Sequence, residues 1–232
     1  GEVTVAGLPV VSYNVHGLRD DLGALVGVIR ELDPDVLVLQ EAPRRFRWRA
    51  RCARLARDVG LVYAVGGLPA LGNLILTNLR VRVHDTWCVR FPLTPGRHMR
   101  GAAFARCSVA RTPFVVVGSH LSTDPAERPE QAALLKAAMS DVDAPLVLGA
   151  DLNDSSGSAA WRTLVDGMTD AAVPARRTDA PTFPSYDPRH RIDAVFVGGG
   201  IAVRRYDVLD TPVTRRASDH FPLVADLELP VG

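Results

Sequence analysis

The sequence predicts an α/β protein in which two packed β-sheets are flanked by helices. Two observations carry this. The 232 residues, 47% of them hydrophobic, are enough to bury a sizeable core in one domain, or at most two small ones, and a single domain over residues 1–232 is expected. Helix-period and strand-period segments share the chain but do not alternate, because five strand-like segments run in succession between residues 61 and 119. A doubly wound parallel sheet would need strict alternation.

Residues 8–15 (LPVVSYNV) read as the first strand. Asp20 or Asp21 can cap a helix running to Leu32, since Leu22, Leu25, Val26, Ile29 and Leu32 fall on one face at helical spacing. Asp33-Pro34 ends it, and residues 36–40 (VLVLQ) read as a buried strand. A second helix is expected over 44–59, with Trp48, Cys52, Leu55, Ala56 and Val59 as its apolar stripe. Its seven arginines, from Arg44 to Arg57, then form a solvated face. The period changes to strands over 61–65, 73–77, 81–89, 102–110 and 114–119, punctuated by Gly66-Gly67, Pro95-Gly96 and Thr112-Pro113. A helix over 129–142, with Pro125 or Pro129 at its first turn, precedes a strand over 145–150. A short helix over 158–165 and a polar loop over 171–191 follow. Strands over 192–197, 203–209 and 221–229 close the chain.

Acids, amides and histidines stand at the ends of these strands. Asn14 follows VVSY, Glu41 follows VLVLQ, His120 follows VVVGS, and Asp151 and Asn153 follow PLVLGA. Asp193 begins IDAVFV, and Asp219 and His220 precede FPLVADL. Any one of them could simply be emerging into solvent, but the recurrence of residue types able to share one task points to a common site. Carboxylate and amide oxygens are hard ligands, suited to magnesium, manganese or calcium. Histidines suit proton transfer near neutral pH.

Other classes lack their signatures. Cys52, Cys88 and Cys107 have no C-x-x-C spacing and give neither a disulfide framework nor a zinc site. There is no G-x-S-x-G elbow and no phosphate loop of the G-x-x-x-x-G-K-[ST] type. No apolar run approaches the ~20 residues that span a bilayer. No leader is visible, and localisation stays open between the cytoplasm and secretion after leader removal. A monomer is expected. The net charge of +1 announces no global polyanion field. Lys136 is the only lysine, which fits a codon bias or a use of arginine forks for phosphate.

The segments SYNVHG, VLQE, VVGSHL, ADLND, RIDAVFV and SDHFPLV, spread over residues 12–224, resemble the ordered motifs of the endonuclease/exonuclease/phosphatase superfamily with its deoxyribonuclease I-like fold. LGNLILTN resembles its G-N-x-x-L-S segment, and ERPEQ its R-x-x-Q helix start. The resemblance implies a four-layered α/β/β/α sandwich of two mostly antiparallel sheets, with metal-dependent cleavage of P–O bonds at one edge. It implies Glu41 as the main metal ligand with Asn14 beside it, and Asp151 and Asn153 as the pair holding the nucleophilic water and the phosphate. Asp193 and His220 resemble a carboxylate–histidine dyad, His120 the second active-site histidine, and Asp219 a further metal or supporting carboxylate. The implied cofactor is Mg2+ or Mn2+. Two departures stand out: Ala150 replaces the glycine usual before the acid, and His16 lies two residues after Asn14, facing the site or held in its loop.

The substrate expected is a phosphate ester, foremost DNA or RNA, with a small-molecule or lipid phosphoester as the alternative and a silent binding module behind both. GSHL and RID look more like the deoxyribonuclease and sphingomyelinase side than the abasic-endonuclease or inositol 5-phosphatase side. Arg97, Arg100, Arg176, Arg177, Arg189, Arg191, Arg215 and Arg216 lie in or near the motif loops. Of these, Arg100, Arg189, Arg215 and Arg216 are the substrate-binding candidates. Aromatics are sparse, though Trp87, Phe91, Phe183 and Tyr186 could touch a base or a lipid tail.

Overall fold

The computed structural model describes residues 6–231. Residues 1–5 and 232, counted above in the single domain, lie outside the described residues. The chain runs β1 (Ala6–Asn14), α1 (Leu22–Leu32), β2 (Val36–Gln40), α2 (Trp48–Val59), β3 (Val62–Gly66) and β4 (Leu74–Thr77). It continues through β5 (Arg82–Arg90), β6 (Gly101–Val109), β7 (Thr112–His120), α3 (Arg128–Ser140), β8 (Leu146–Asp151) and α4 (Ala159–Val165). β9 (Thr169–Asp170), β10 (Asp193–Gly198), β11 (Ala202–Val208), α5 (Pro212–Ala217) and β12 (Leu223–Leu229) complete it.

The strands form two six-stranded sheets, ordered β11-β12-β1-β2-β4-β3 and β5-β6-β7-β8-β10-β9. Each sheet holds one parallel pair at its centre, β1 with β2 and β7 with β8, and its other pairings are antiparallel. A parallel pair cannot be joined by a hairpin, so α1 and α3 serve as the crossovers. Val10, Val38, Val116, Val147 and Leu223 belong to the cluster between the sheets. Phe104, Leu135, Trp161 and Phe196 pack α3 and α4 on the outside of one sheet, and Val11, Ile29, Leu37 and Leu55 pack α1 and α2 on the other. The result is the expected α/β/β/α sandwich.

Three boundaries differ from the sequence reading. α2 starts at Trp48 rather than near residue 44, because Arg47 takes a left-handed backbone (φ 58°) and residues 44–47 turn before the helix begins. α5 was not expected; six residues are too short to show a period, although Thr211 caps it through a reciprocal bond with Thr214 and Pro212 opens its first turn. The two-residue β9 escaped for the same reason of length.

Two glycines let the sheets close tightly beneath the strand ends. A Cβ on Gly118 would lie 2.8 Å from Val38 Cγ1, and one on Gly149 would lie 2.7 Å from Ser12 Oγ. Ala150, by contrast, points its methyl into the outer cluster under α3 and α4, where a Cβ is accommodated.

Candidate active site

Both parallel pairs end on the same edge, and strand register decides what stands there. Asn14 is paired with Gln40 at the ends of β1 and β2, and Glu41 follows directly. On the other sheet His120 pairs with Asp151 across β7 and β8, and Asp193 pairs with the same Asp151 across β8 and β10. Residues opposite one another share a face, so three polar side chains from neighbouring strands line up in one row.

Asp151 is the hub. Asn14 Nδ2 donates to its Oδ2 at 2.8 Å, and His120 Nε2 stands 3.2 Å and His220 Nε2 3.6 Å from the same oxygen. The Asn153 amide nitrogen donates to Asp151 Oδ1 at 3.0 Å, while Asn153 Nδ2 reaches His120 Nε2 at 3.2 Å and the Leu121 carbonyl at 2.8 Å. Burial alone would raise the Asp151 pKa. His120 and His220, with the Asn14 bond, outweigh it and hold the carboxyl well below the usual carboxylate range. A carboxylate with so little affinity for a proton is a poor base and a good ligand or orienter.

His220 Nδ1 bonds Asp193 Oδ2 at 2.8 Å, with both groups buried. Burial favours the neutral ring, but Asp193 and then Asp151 overcome it and raise His220 to about 10. Asp193 is itself pushed up to about 6 by burial; His220 opposes that and the Asp151 charge adds to it. Its Oδ1 has no hydrogen-bond partner, which is consistent with a carboxylate held at some cost. Phe183 packs against the His220 ring at 4.6 Å between centroids. Ser218 Oγ donates to the Asn14 carbonyl at 2.6 Å and ties the histidine segment to β1.

Glu41, Asp151 and His220 each offer a ligand atom within 4.8 Å of the others. Glu41 closes β2 in a left-handed conformation (φ 53°), and Asn153 (φ 49°) does the same past β8. Such backbone in non-glycine residues costs energy and concentrates at functional sites. Asn14 spends its amide on Asp151 and on the His16 amide, which donates to Oδ1 at 3.0 Å. Asp219 is turned toward His16, 3.5 Å from Nε2, and lies outside the three-residue cluster. Burial raises its pKa, His220 and His16 oppose that, and Glu41 and Asp20 add to it. His16 is held by Asp20 at 2.7 Å and so bridges two acids beside the site.

A cleft of about 310 Å³ opens from this cluster, walled by Glu41, His120, Arg44, Arg45, Arg100 and Arg19 among others. The substrate-binding candidates divide here. Arg100 lines the cleft. Arg189, Arg215 and Arg216 do not, and each faces a carboxylate of its own: Asp187 at 2.5 Å, Asp210 at 2.8 Å and Asp21 at 3.7 Å. The last two sit on α5, not on a loop. Arg44 and Arg45 reverse the expectation of a wholly solvated face, since the turn before α2 folds them into the cleft wall. Trp87 and Phe91 are structural, the first stacked on Phe104 at 5.1 Å and the second buried. Tyr186 is exposed.

The model of the Endonuclease/Exonuclease/phosphatase family matches residues 11–220, nearly the whole chain. The chain belongs to that family. Its members are phosphoric ester hydrolases, and they generally use divalent metals. The mannosyl-6-phosphatase of Bacteroides thetaiotaomicron superposes with a TM-score of 0.76 at 19% identity, covering 95% of this chain and 99% of that one. The human Nocturnin catalytic domain with bound sulfate gives 0.77 at 18% identity, over 97% and 95% of the two chains. The zebrafish (D. rerio) TDP2 bound to a single-stranded DNA product gives 0.77 at 18%, over 96% and 99%. At these identities the likeness is one of fold. No curated protein sequence matches.

Several supporting residues lie in segments whose motifs the sequence showed but whose contacts it did not. Gln131 accepts the Ser122 amide at 2.8 Å, and Arg128 bonds Asp154 at 2.9 Å and the Thr123 carbonyl at 3.0 Å. Together they fasten the loops after β7 and β8, the first following directly on His120 and the second carrying Asn153. The R-x-x-Q spacing was their signal. Asn73 donates to the Ala70 and Gly101 carbonyls at 2.9 and 3.1 Å, which fixes the turn beside Arg100.

Proposed function

We propose that this protein is a divalent-metal-dependent phosphodiesterase that cleaves P–O bonds in DNA or RNA, working as a monomer. The observation that carries the reading is the Glu41–Asp151–His220 cluster at the mouth of an arginine-walled cleft. The donor chemistry fits Mg2+ or Mn2+, because carboxylate oxygens predominate and no thiolate is near. Glu41 and Asp151 would hold the ion, with Asn14 and Asp219 around them. Bound there, a dication stabilises charge on the non-bridging phosphate oxygens.

The residues themselves supply the rest. Asp151, kept ionised, and Asn153 orient the phosphate and the attacking water, whose proton passes to solvent in the open cleft as the new O–P bond forms. The Asp193 carboxylate fixes His220 with Nδ1 protonated and Nε2 aimed at the cluster, where the ring donates to a phosphate oxygen and offsets developing charge. His120, facing Asp151 from the opposite strand, donates to the leaving oxygen. The strand leaves the cleft past Arg45, Arg51, Arg47 and Arg54, where Phe46, 87% exposed, offers a face for a base. A small-molecule or lipid phosphoester is the second reading, and the modest cleft of about 310 Å³ favours it.

The test is hydrolysis of plasmid, single-stranded DNA, RNA, bis-p-nitrophenyl phosphate and phospholipid with magnesium or with excess chelator. Cleavage of nucleic acid only with metal is expected. Cleavage of phospholipid alone would transfer the assignment to the second reading.

A further inference from the structure

Nine arginines outside the cleft face a carboxylate in an ion pair. The two most buried of these, Arg191 and Arg128, each face a carboxylate: Arg191 meets Asp170 through both terminal nitrogens at 3.0 Å, and Arg128 meets Asp154 at 2.9 Å. Arg100 differs. It is 8% exposed, its Nε has no hydrogen-bond partner, and among the described residues no carboxylate stands within ion-pair distance. Arg44 lies beside it, its Nη1 held by the Leu71 and Met99 carbonyls at 3.1 and 3.4 Å, and it too lacks an ion-pair partner. Burial lowers the proton affinity of both groups, and the next cause is Arg44 for Arg100 and Arg45 for Arg44.

Two guanidinium groups side by side, with Glu41 nearby but outside ion-pair distance, are unfavourable in a partly enclosed cleft unless an anion completes the site. The backbone is built to keep Arg100 there. Its carbonyl accepts from the Phe91 amide at 2.9 Å. The next carbonyl, of Gly101, accepts from Asn73 Nδ2 at 3.1 Å and from Ser119 Oγ at 2.8 Å. A Cβ on Gly101 would meet the Val89 carbonyl at 2.2 Å, so only glycine permits this approach. Glu41 and His120 line the same cleft, which puts the pair next to the catalytic cluster.

We propose that Arg100 and Arg44 form a second anion subsite, which takes a phosphoryl, sulfo or carboxylate group that the substrate carries in addition to its scissile phosphate. The proposal deepens the phosphodiesterase reading and rests on it only for which phosphate is cleaved. The second group is either the neighbouring phosphate of a strand or a further phosphate on a small molecule.

Sulfate titrated in excess chelator, followed by calorimetry, tests the subsite without catalysis. Wild type binds sulfate, and Arg100→Gln and Arg44→Gln each weaken it about tenfold or more. Arg111→Gln, an exposed turn residue, controls for the change in net charge. Should Arg100→Gln fail to fold, the half-buried Arg44 carries the test. With magnesium, KM is compared for the dithymidylates TpT and pTpT, and for fructose 6-phosphate and fructose 1,6-bisphosphate. The added phosphate is expected to lower KM about tenfold in wild type for one pair and to bring no advantage in either variant. Advantage in the first pair identifies a strand, and in the second a small molecule. Sulfate binding that survives both substitutions overturns the subsite, as does the lack of any advantage in a pair that is hydrolysed. Arginine-dependent sulfate binding with neither pair hydrolysed supports the subsite and counts against the phosphodiesterase reading.

Discussion

Asp193→Asn separates orientation of His220 from every other feature of the site. The wild-type bond from His220 Nδ1 to Asp193 Oδ2 is 2.8 Å and buried on both sides. Asp193 is the strongest of the groups that raise His220 to about 10 against the opposing effect of burial. In the asparagine variant Asp151, 3.6 Å from Nε2, is the nearest carboxylate left. The largest raising influence is then gone, with only Asp151 and Asp219 left to oppose burial, and His220 titrates lower than in wild type. A smaller charged fraction of the ring weakens its donation to the phosphate. Loss of the fixed tautomer adds to this, so kcat on bis-p-nitrophenyl phosphate should drop about 10²-fold or more with KM little changed. A histidine NMR titration in chelator should show His220 charged through pH 9 in wild type and titrating at clearly lower pH in the variant. A variant with kcat within about threefold of wild type, or with an unshifted titration, would refute the dyad.

Three further expectations can be checked directly. Gly149→Ala puts a methyl 2.7 Å from Ser12 Oγ and 3.2 Å from Val38 Cβ; it should cost about 1–3 kcal/mol and lower Tm by several degrees in a thermal melt. Because the folded pKa of His220 is raised, its stabilising contribution is complete below about pH 6.5 and is lost as pH rises through about 10. In chelator, the Tm gap between wild type and His220→Gln should therefore narrow between pH 6.5 and 10.5, and a gap that widens would contradict the assignment. Arg128→Ala should lower kcat/KM about tenfold and speed hydrogen exchange in residues 121–124 and 152–154, as expected of a group that only braces the loops around catalytic residues.

Much of this was legible in the sequence for a physical reason. Buried strands such as residues 36–40 have no use for polar side chains, so Glu41, His120 and Asp151 stand out where the apolar runs stop. The crossovers α1 and α3 show a helical period, and the turns carry glycine and proline. What stayed hidden depends on pairs far apart in sequence. That Arg216 faces Asp21 and Arg191 is spent on Asp170 follows from how the strands and helices meet. Arg44 joins the cleft only because the chain turns at Arg47 before α2 begins. Residues 212–217 are too short to reveal a period, yet Thr211-Pro212 was a readable start signal.

The central claim is that Glu41 and Asp151, beside His220, hold one divalent cation. Titration of the chelator-stripped protein with Mn2+, followed by electron paramagnetic resonance, tests it most directly. The account predicts one site per chain in wild type, weakened about tenfold or more in Glu41→Gln, with Mg2+ competing. Stoichiometric binding undiminished by both Glu41→Gln and Asp151→Asn would contradict it.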